Sequence, residues 1–371
     1  MGIRKRGGRW LVTVELGTDE TGTRRRKHVT CATEEDALRE EAVLKAAVLT
    51  GTYVEPSTDT LVEFLREWLA HASRGRRQRT RDAYKITVER HLIPALGRLK
   101  LSELRPLHVE RFITAQHAQG LAPATVSKHF WTLHKALDRA VAWGKLVRNP
   151  ADQVEKPGMQ TSHVRTFDVA EQSRLLGRAV GTWLYGPIVL ALATGMRRGE
   201  IVALHWRDVD LKGGVLAVRR STEESSAGVE VGATKTDASV RRVRIPENVV
   251  AFLADHRVKQ RQLADAVSTY RDHGLVFPRD DGNPRRPSSV TAAFAGVCQA
   301  LEIEEGHFHC LRHTFATEML RAGVPVKVVS EMLGHASVAT TLRIYAHVLA
   351  DMQEAAAVQA GRLLEAATGL G

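Results

Sequence analysis

Residues 309–348 restrict the possible folds more than any other stretch. They read HCLRHTFATEML, then RAGVPVKVVSEMLGH, then ASVATTLRIYAHV. Leu311, Phe315, Met319 and Leu320 recur at helical spacing and predict one buried stripe. Gly323 and Pro325 break that helix, and Val326, Val329 and Leu333 predict a second that stops at Gly334. A third, short helix opens near Ser337 and carries Tyr345. His309 and Arg312 stand three apart, so imidazole and guanidinium share a helix face. The breaks fold His309, Arg312, His335 and Tyr345 toward one another, as a site for one small anion would require. Taken singly, each piece has an ordinary reading: a surface His-x-x-Arg pair, a tyrosine in a core. His307, His309, Cys310 and His313 also suggest zinc. However, neighbours on one helix do not all converge on one metal, and no second ligand pair lies nearby.

The formal net charge of +11 points to a polyanionic partner. Aromatic residues make up only 5% of the chain, too few for stacking on single-stranded bases to explain that charge. Cys31, Cys298 and Cys310 are scattered without paired spacing, which suggests a reducing compartment. The opening GIRKRGGRW has no apolar stretch behind its charges and does not read as a signal peptide. The longest apolar run, residues 183–194, is too short for a bilayer. The expectation is a cytoplasmic, nucleoid-associated protein with no membrane partner. A length of 371 residues predicts two to three domains.

Residues 1–56 read as a small module of strands and one helix. Trp10, Val12, Val14 and Leu16 alternate with Leu11, Thr13 and Glu15, a period-two strand. GTDETG turns the chain, KHVTCA returns it, and Thr33 N-caps a helix that runs through Leu49. Arg4, Lys5, Arg6 and Arg9, with Arg24, Arg25 and Arg26, form two basic clusters. These are candidate DNA contacts, or else a solvated edge that discourages aggregation.

Residues 57–157 read as helical, and from residue 60 on four helices follow. The stripes are Leu61–Phe64–Leu65–Trp68–Leu69, then Tyr84 and Val88 up to Pro94. Val109–Phe112–Ile113 follow Pro106, and Val126–Phe130–Leu133–Leu137 lead to Gly144. This segment holds most of the positive excess, much of it in SRGRRQRTR at residues 73–81. Arg76, Arg77, Arg79 and Lys128 are candidate duplex contacts. Residues 158–371 are mixed: helices dominate, with a small sheet predicted from 209–211, 215–218 and 240–245. An Ala- and Leu-rich tail, too weakly amphipathic to stand alone, begins at Asp351.

Two further boxes precede the first segment. ALATGMRRGEI places Arg197 and Glu200 after a buried helix, and ATKTDASVRRVRIP sets Lys235 ahead of a basic strand. With Thr-Gly-x-Arg-x-x-Glu, Thr-Lys-Thr, His-x-Leu-Arg-His-Thr and Leu-Gly-His…Tyr in this order, the chain resembles the tyrosine recombinase (phage integrase) family. Cys310 departs from the pattern, which often has Asp there. The resemblance implies a mainly α fold with small β elements. It comprises a three-stranded sheet plus helix as arm-site module (1–56), a helical SAM-like core-binding domain (57–157) and a mixed α/β catalytic domain with a C-terminal tail (158–371).

It also implies DNA cutting and rejoining through a 3′-phosphotyrosine link and a Holliday junction, by a tetramer on double-stranded core and arm sites. An excision factor or a host DNA-bending protein is a further expected partner. Tyr345 would be the nucleophile, His309 its base and Lys235 the acid for the leaving 5′ oxygen. Arg197, Arg312 and His335 would hold the non-bridging oxygens, with Glu200 orienting Arg197 or His309. No Walker loop or paired-carboxylate metal site is present, so neither ATP nor a metal is expected. Three other readings compete: chromosome-dimer resolution, a type IB topoisomerase and a catalytically silent DNA-binding regulator.

Overall fold

The computed structural model describes residues 2–18, 23–50, 53–54, 58–158, 164–233 and 240–368, apart from the side chains of 233, 347–356 and 368. The chain divides into two compact units, Met1–Thr161 and Ser162–Gly371. No helix among the described residues is long and apolar enough to cross a membrane.

In the first unit the strands Gly2–Arg6, Arg9–Thr18 and Arg24–Cys31 form an antiparallel sheet in sequence order. Val12 and Val14 are fully buried against Ala37 of the helix Glu34–Leu49. Thr33 caps that helix, its hydroxyl accepting from the Asp36 N–H at 3.1 Å, and three acids in the first turn face the positive end of the dipole. The seven candidate basic residues of this sheet are all exposed. The first strand escapes a period-two reading because only Ile3 in GIRKR is apolar. It is held by pairing, with Ile3 opposite Val12.

The helices from Leu61 onward share one core of Leu61, Phe64, Leu65, Trp68, Leu92, Phe112, Phe130, Leu133 and Leu137. A Thr60–Glu63 capping box starts the helix Leu61–Ala72. Pro106 opens Pro106–Ala118, where its missing N–H is no loss. Pro94, expected to end the second helix, does not. Gln78–Thr87 widens into a π turn, Val88–Leu92, and continues to Leu96 with Pro94 in the first positions of the last piece. A proline is tolerated there because the change of hydrogen-bond register leaves its backbone donor spare.

Arg76, Arg77, Arg79 and Lys128 are exposed. Arg76 also lines a cleft of about 490 Å³ with His71, Arg74, Lys135 and Arg139 around the rings of Trp68 and Tyr84.

In the second unit the buried helix Tyr185–Thr194 packs on Phe308–Arg321. The predicted sheet is present, with Val209–Asp210, Val215–Val218 and Arg241–Arg244 antiparallel and Val215–Val218 central. A hairpin of Arg220–Ser225 and Gly228–Ala233 escapes sequence reading because RSTEES carries no alternating apolar pattern. Tyr345 closes a short helix that opens at Val338: it takes φ −112°, ψ 21°, and beyond that kink a second helix runs on to Thr368.

Candidate active site

Gly195 sets the first corner of the site. It ends the Tyr185–Thr194 helix in the left-handed region at φ 62°, and a Cβ there would lie 2.5 Å from the Phe315 ring and 2.7 Å from Leu333. Two residues on, Arg197 N-caps Arg198–Val202, and Glu200 closes a capping arrangement back onto it. Glu200 Oε2 accepts from the Arg197 backbone N–H at 2.9 Å, and Oε1 accepts from Arg197 Nη1 at 2.9 Å. The Arg197 side chain stays 37% exposed, whereas Glu200 is 2% exposed.

The second corner is the end of the Val326–Leu333 helix, stopped by Gly334 at φ 66°. A helix end leaves carbonyls without partners. Here three in succession receive guanidinium donors: Met332 from Arg241 Nε at 2.5 Å, Leu333 from Arg312 Nη2 at 2.8 Å, and Gly334 from Arg197 Nη2 at 3.2 Å. The other Arg312 nitrogen, Nη1, donates to Gly195 O at 2.6 Å, and the Arg312 side chain is 2% exposed. Burial, with Arg197 alongside, pulls its pKa down to about 9, so it remains a cation at neutral pH.

His335 follows directly, its Nδ1 paired at 2.8 Å with the hydroxyl of the buried Thr341. Tyr345 is 1% exposed, and burial pushes its phenol up to about 12. Its oxygen lies 2.9 Å from Nδ1 of His313.

Arg197, Glu200, Arg312 and His335 therefore gather around the residue 332–335 turn, and Tyr345 is reached through His313. His309 touches the edge of the His313 ring, centroids 4.7 Å apart, rather than the phenol. Lys235 lies outside the described residues. Cys310 is buried, with its sulfur 3.3 Å from His307 Nδ1, while His313 turns to Tyr345, so these four residues do not share one ligand point. Sequence reasoning missed two participants. His313 was legible only as part of the Arg-His-Thr box, and Arg241 only as one basic residue in RRVR.

Burial and the surrounding cations hold three imidazoles below their ordinary value of 6.5: His309 at about 3, His313 at about 4 and His335 at about 4. Each resists protonation when folded, whereas in the unfolded chain it takes a proton below about pH 6.5. Stability from these groups is thus complete above that value and is lost as pH falls toward 4. Thermal unfolding of this unit is expected to come earlier at about pH 5 than at about pH 7. The difference should shrink in His313→Gln. Ring NMR signals titrating near the ordinary value would refute the burial argument.

The family model described as "Phage integrase family" matches residues 166–352, and the model for the phage integrase N-terminal SAM-like domain matches residues 60–115. An integrase of Streptomyces ambofaciens is 31% identical over 352 residues, covering 91% of this chain and 89% of the relative. The chain belongs to the phage integrase family. It is a tyrosine recombinase, an enzyme of site-specific DNA recombination. A XerC-like tyrosine recombinase of Caldanaerobacter subterraneus subsp. tengcongensis is 28% identical over 361 residues, covering 92% of both chains. Among solved structures, a variant of the Tn1549 transposon integrase in complex with a circular intermediate DNA matches with a TM-score of 0.68 and 18% identity. The match covers 80% of this chain and 99% of that one, a likeness of fold.

Proposed function

We propose that this recombinase is the integrase of a phage or other integrative mobile element. The observation that carries the catalytic reading is the pair Arg197 and Arg312, brought from distant segments onto one turn beside His335. A half-exposed and a buried guanidinium at one place suit the non-bridging oxygens of a single phosphodiester. Arg197, Arg312 and His335 would hold the scissile phosphate while Tyr345 Oη attacks phosphorus. The phenol proton passes to His309, and the 5′ oxygen leaves with a proton from Lys235. The 3′-phosphotyrosine retains the phosphodiester's energy, and a partner strand's 5′ hydroxyl reverses the step. Four protomers on two sites would exchange strands through a Holliday junction.

The arrangement of Tyr345 supports a resting state. At 1% exposure its oxygen cannot meet a DNA phosphate without leaving His313. His313 would therefore hold the nucleophile between reactions, while His309 serves as base once the phenol reaches the phosphate.

The exposed arginines of the N-terminal sheet support a role as arm-site contacts. Deleting residues 1–56 is expected to abolish integration that depends on distal sites while leaving core cleavage largely intact. Failure of the truncated protein to cleave a core-only suicide substrate would refute that division. A second reading, chromosome-dimer resolution, is favoured by the XerC-like relative.

Covalent capture tests the whole reading without knowing the sites. Fragmented host and element DNA is incubated with the protein and denatured, and the protein-linked 3′ ends are sequenced. Breaks at one pair of related sites, one on the element and one on the host, are expected. Breaks at a single chromosomal site related to none on the element would favour dimer resolution. Breaks without sequence preference, or none, would overturn site-specific recombination.

A further inference from the structure

We propose that Arg241 is a positioning residue that keeps Arg197 available to the scissile phosphate. The inference rests on the reading of Arg197 as a phosphate-gripping group. Arg241 lies at the start of the strand Arg241–Arg244, and its side chain is 6% exposed. It grips Glu200 through both ends of its fork, Nη2 to Oε2 at 2.8 Å and Nη1 to Oε1 at 3.2 Å, while Nε donates to Met332 O. With the two donors from Arg197, the Glu200 carboxylate thus accepts four hydrogen bonds and is saturated.

The charges explain why a second arginine is needed. Glu200 must be close to Arg197 to orient it, yet a buried carboxylate facing one guanidinium would draw that fork into a neutral pair. Arg241 supplies a second cation, so the triad keeps one net positive charge. Burial pushes the Glu200 carboxyl up, but the Arg241 hydrogen bonds and the two guanidinium charges more than offset this, leaving it below the ordinary carboxylate range. The remaining charge resides on Arg197, the only exposed member, facing the place where phosphate charge develops.

Arg241 also accounts for the glycine in Leu-Gly-His. A Cβ on Gly334 would stand 2.9 Å from Arg241 Nη1 and 3.2 Å from its Cδ, in addition to the strain of the positive φ. Arg241 therefore packs where Gly334 has no side chain and fixes the turn that presents His335 and the carbonyl partners of Arg197 and Arg312.

Single-turnover cleavage of a suicide duplex tests the inference, with DNA affinity and melting temperature measured on the same variants. Arg197→Lys is expected to slow cleavage strongly on its own while leaving a residual rate that single-turnover assays can follow, which checks the underlying reading. Arg241→Met should slow cleavage on the order of 100-fold, as small misplacements of catalytic groups do, with affinity nearly unchanged. In the Arg197→Lys background the same change should slow cleavage little further, because Arg241 acts through Arg197. Arg241→Lys keeps the charge without the fork and should recover part of the rate. Glu200→Gln with Arg241→Met removes both buried charges, guards against simple misfolding, and should be faster than Arg241→Met alone. Equal losses from Arg241→Met in both backgrounds would overturn the positioning role, and so would no loss at all. Full cleavage by Arg197→Lys would instead overturn the phosphate-gripping reading itself.

Discussion

Tyr345→Phe is expected to bind and pair DNA sites normally but to form no covalent protein–DNA complex. The substitution removes one oxygen and keeps the ring that fills the core with Phe315, Leu320 and Leu333. The only described partner lost is His313 Nδ1, so stability should fall by about 1 kcal/mol, the ordinary worth of one hydrogen bond. Band shifts should match those of the unmodified protein, while denaturing gels should lack the retarded adduct. An adduct that survives denaturation in this variant would assign the nucleophile to another residue.

The second large effect separates the acid from the anion grip. Arg312→Lys retains a charge but not a fork that reaches both Gly195 O and Leu333 O. Cleavage should drop on the order of 10²–10³, the usual consequence of losing one preorganised donor to a transition-state oxyanion. A 5′-bridging sulfur should not rescue it, since the non-bridging oxygens still lack their donor. Lys235→Ala should be equally impaired on ordinary DNA yet largely restored on the sulfur substrate. A thiol with pKa of about 8.5 leaves without an acid's help. Equal defects of Lys235→Ala on both substrates would move the acid role elsewhere.

The site was legible in sequence wherever a helix break fixes a residue's place. Gly195 and Gly334 must adopt positive φ, so the residues after them, Arg197 and His335, are delivered at predictable points. The four-helix segment was legible because its stripes are long and strongly apolar. Arg241 was not, because nothing local distinguishes it from Arg242 or Arg244 on the same strand. Its partners are 41 residues upstream and 91 downstream, a relation that exists only after folding. The proposed base presents the same difficulty. His309 and His313 lie one helical turn apart, and which of them meets Tyr345 depends on the kink at Tyr345 itself, which the apolar spacing of residues 338–345 does not reveal.

The run of three carbonyls at 332–334 has a consequence for timing. Every guanidinium anchor described at the helix end is complete by Gly334, eleven residues before Tyr345, the proposed nucleophile. On the proposed reading, the phosphate cradle and the carrier of the attacking oxygen are separate mechanical parts joined by one short span. None of the described bonds of Arg197, Arg241 or Arg312 to these carbonyls involves Tyr345, so on that reading a DNA site could be seated before the phenol arrives. Strand cutting then becomes a question of when the phenol is delivered, and an assembly that controls only that short span controls the reaction.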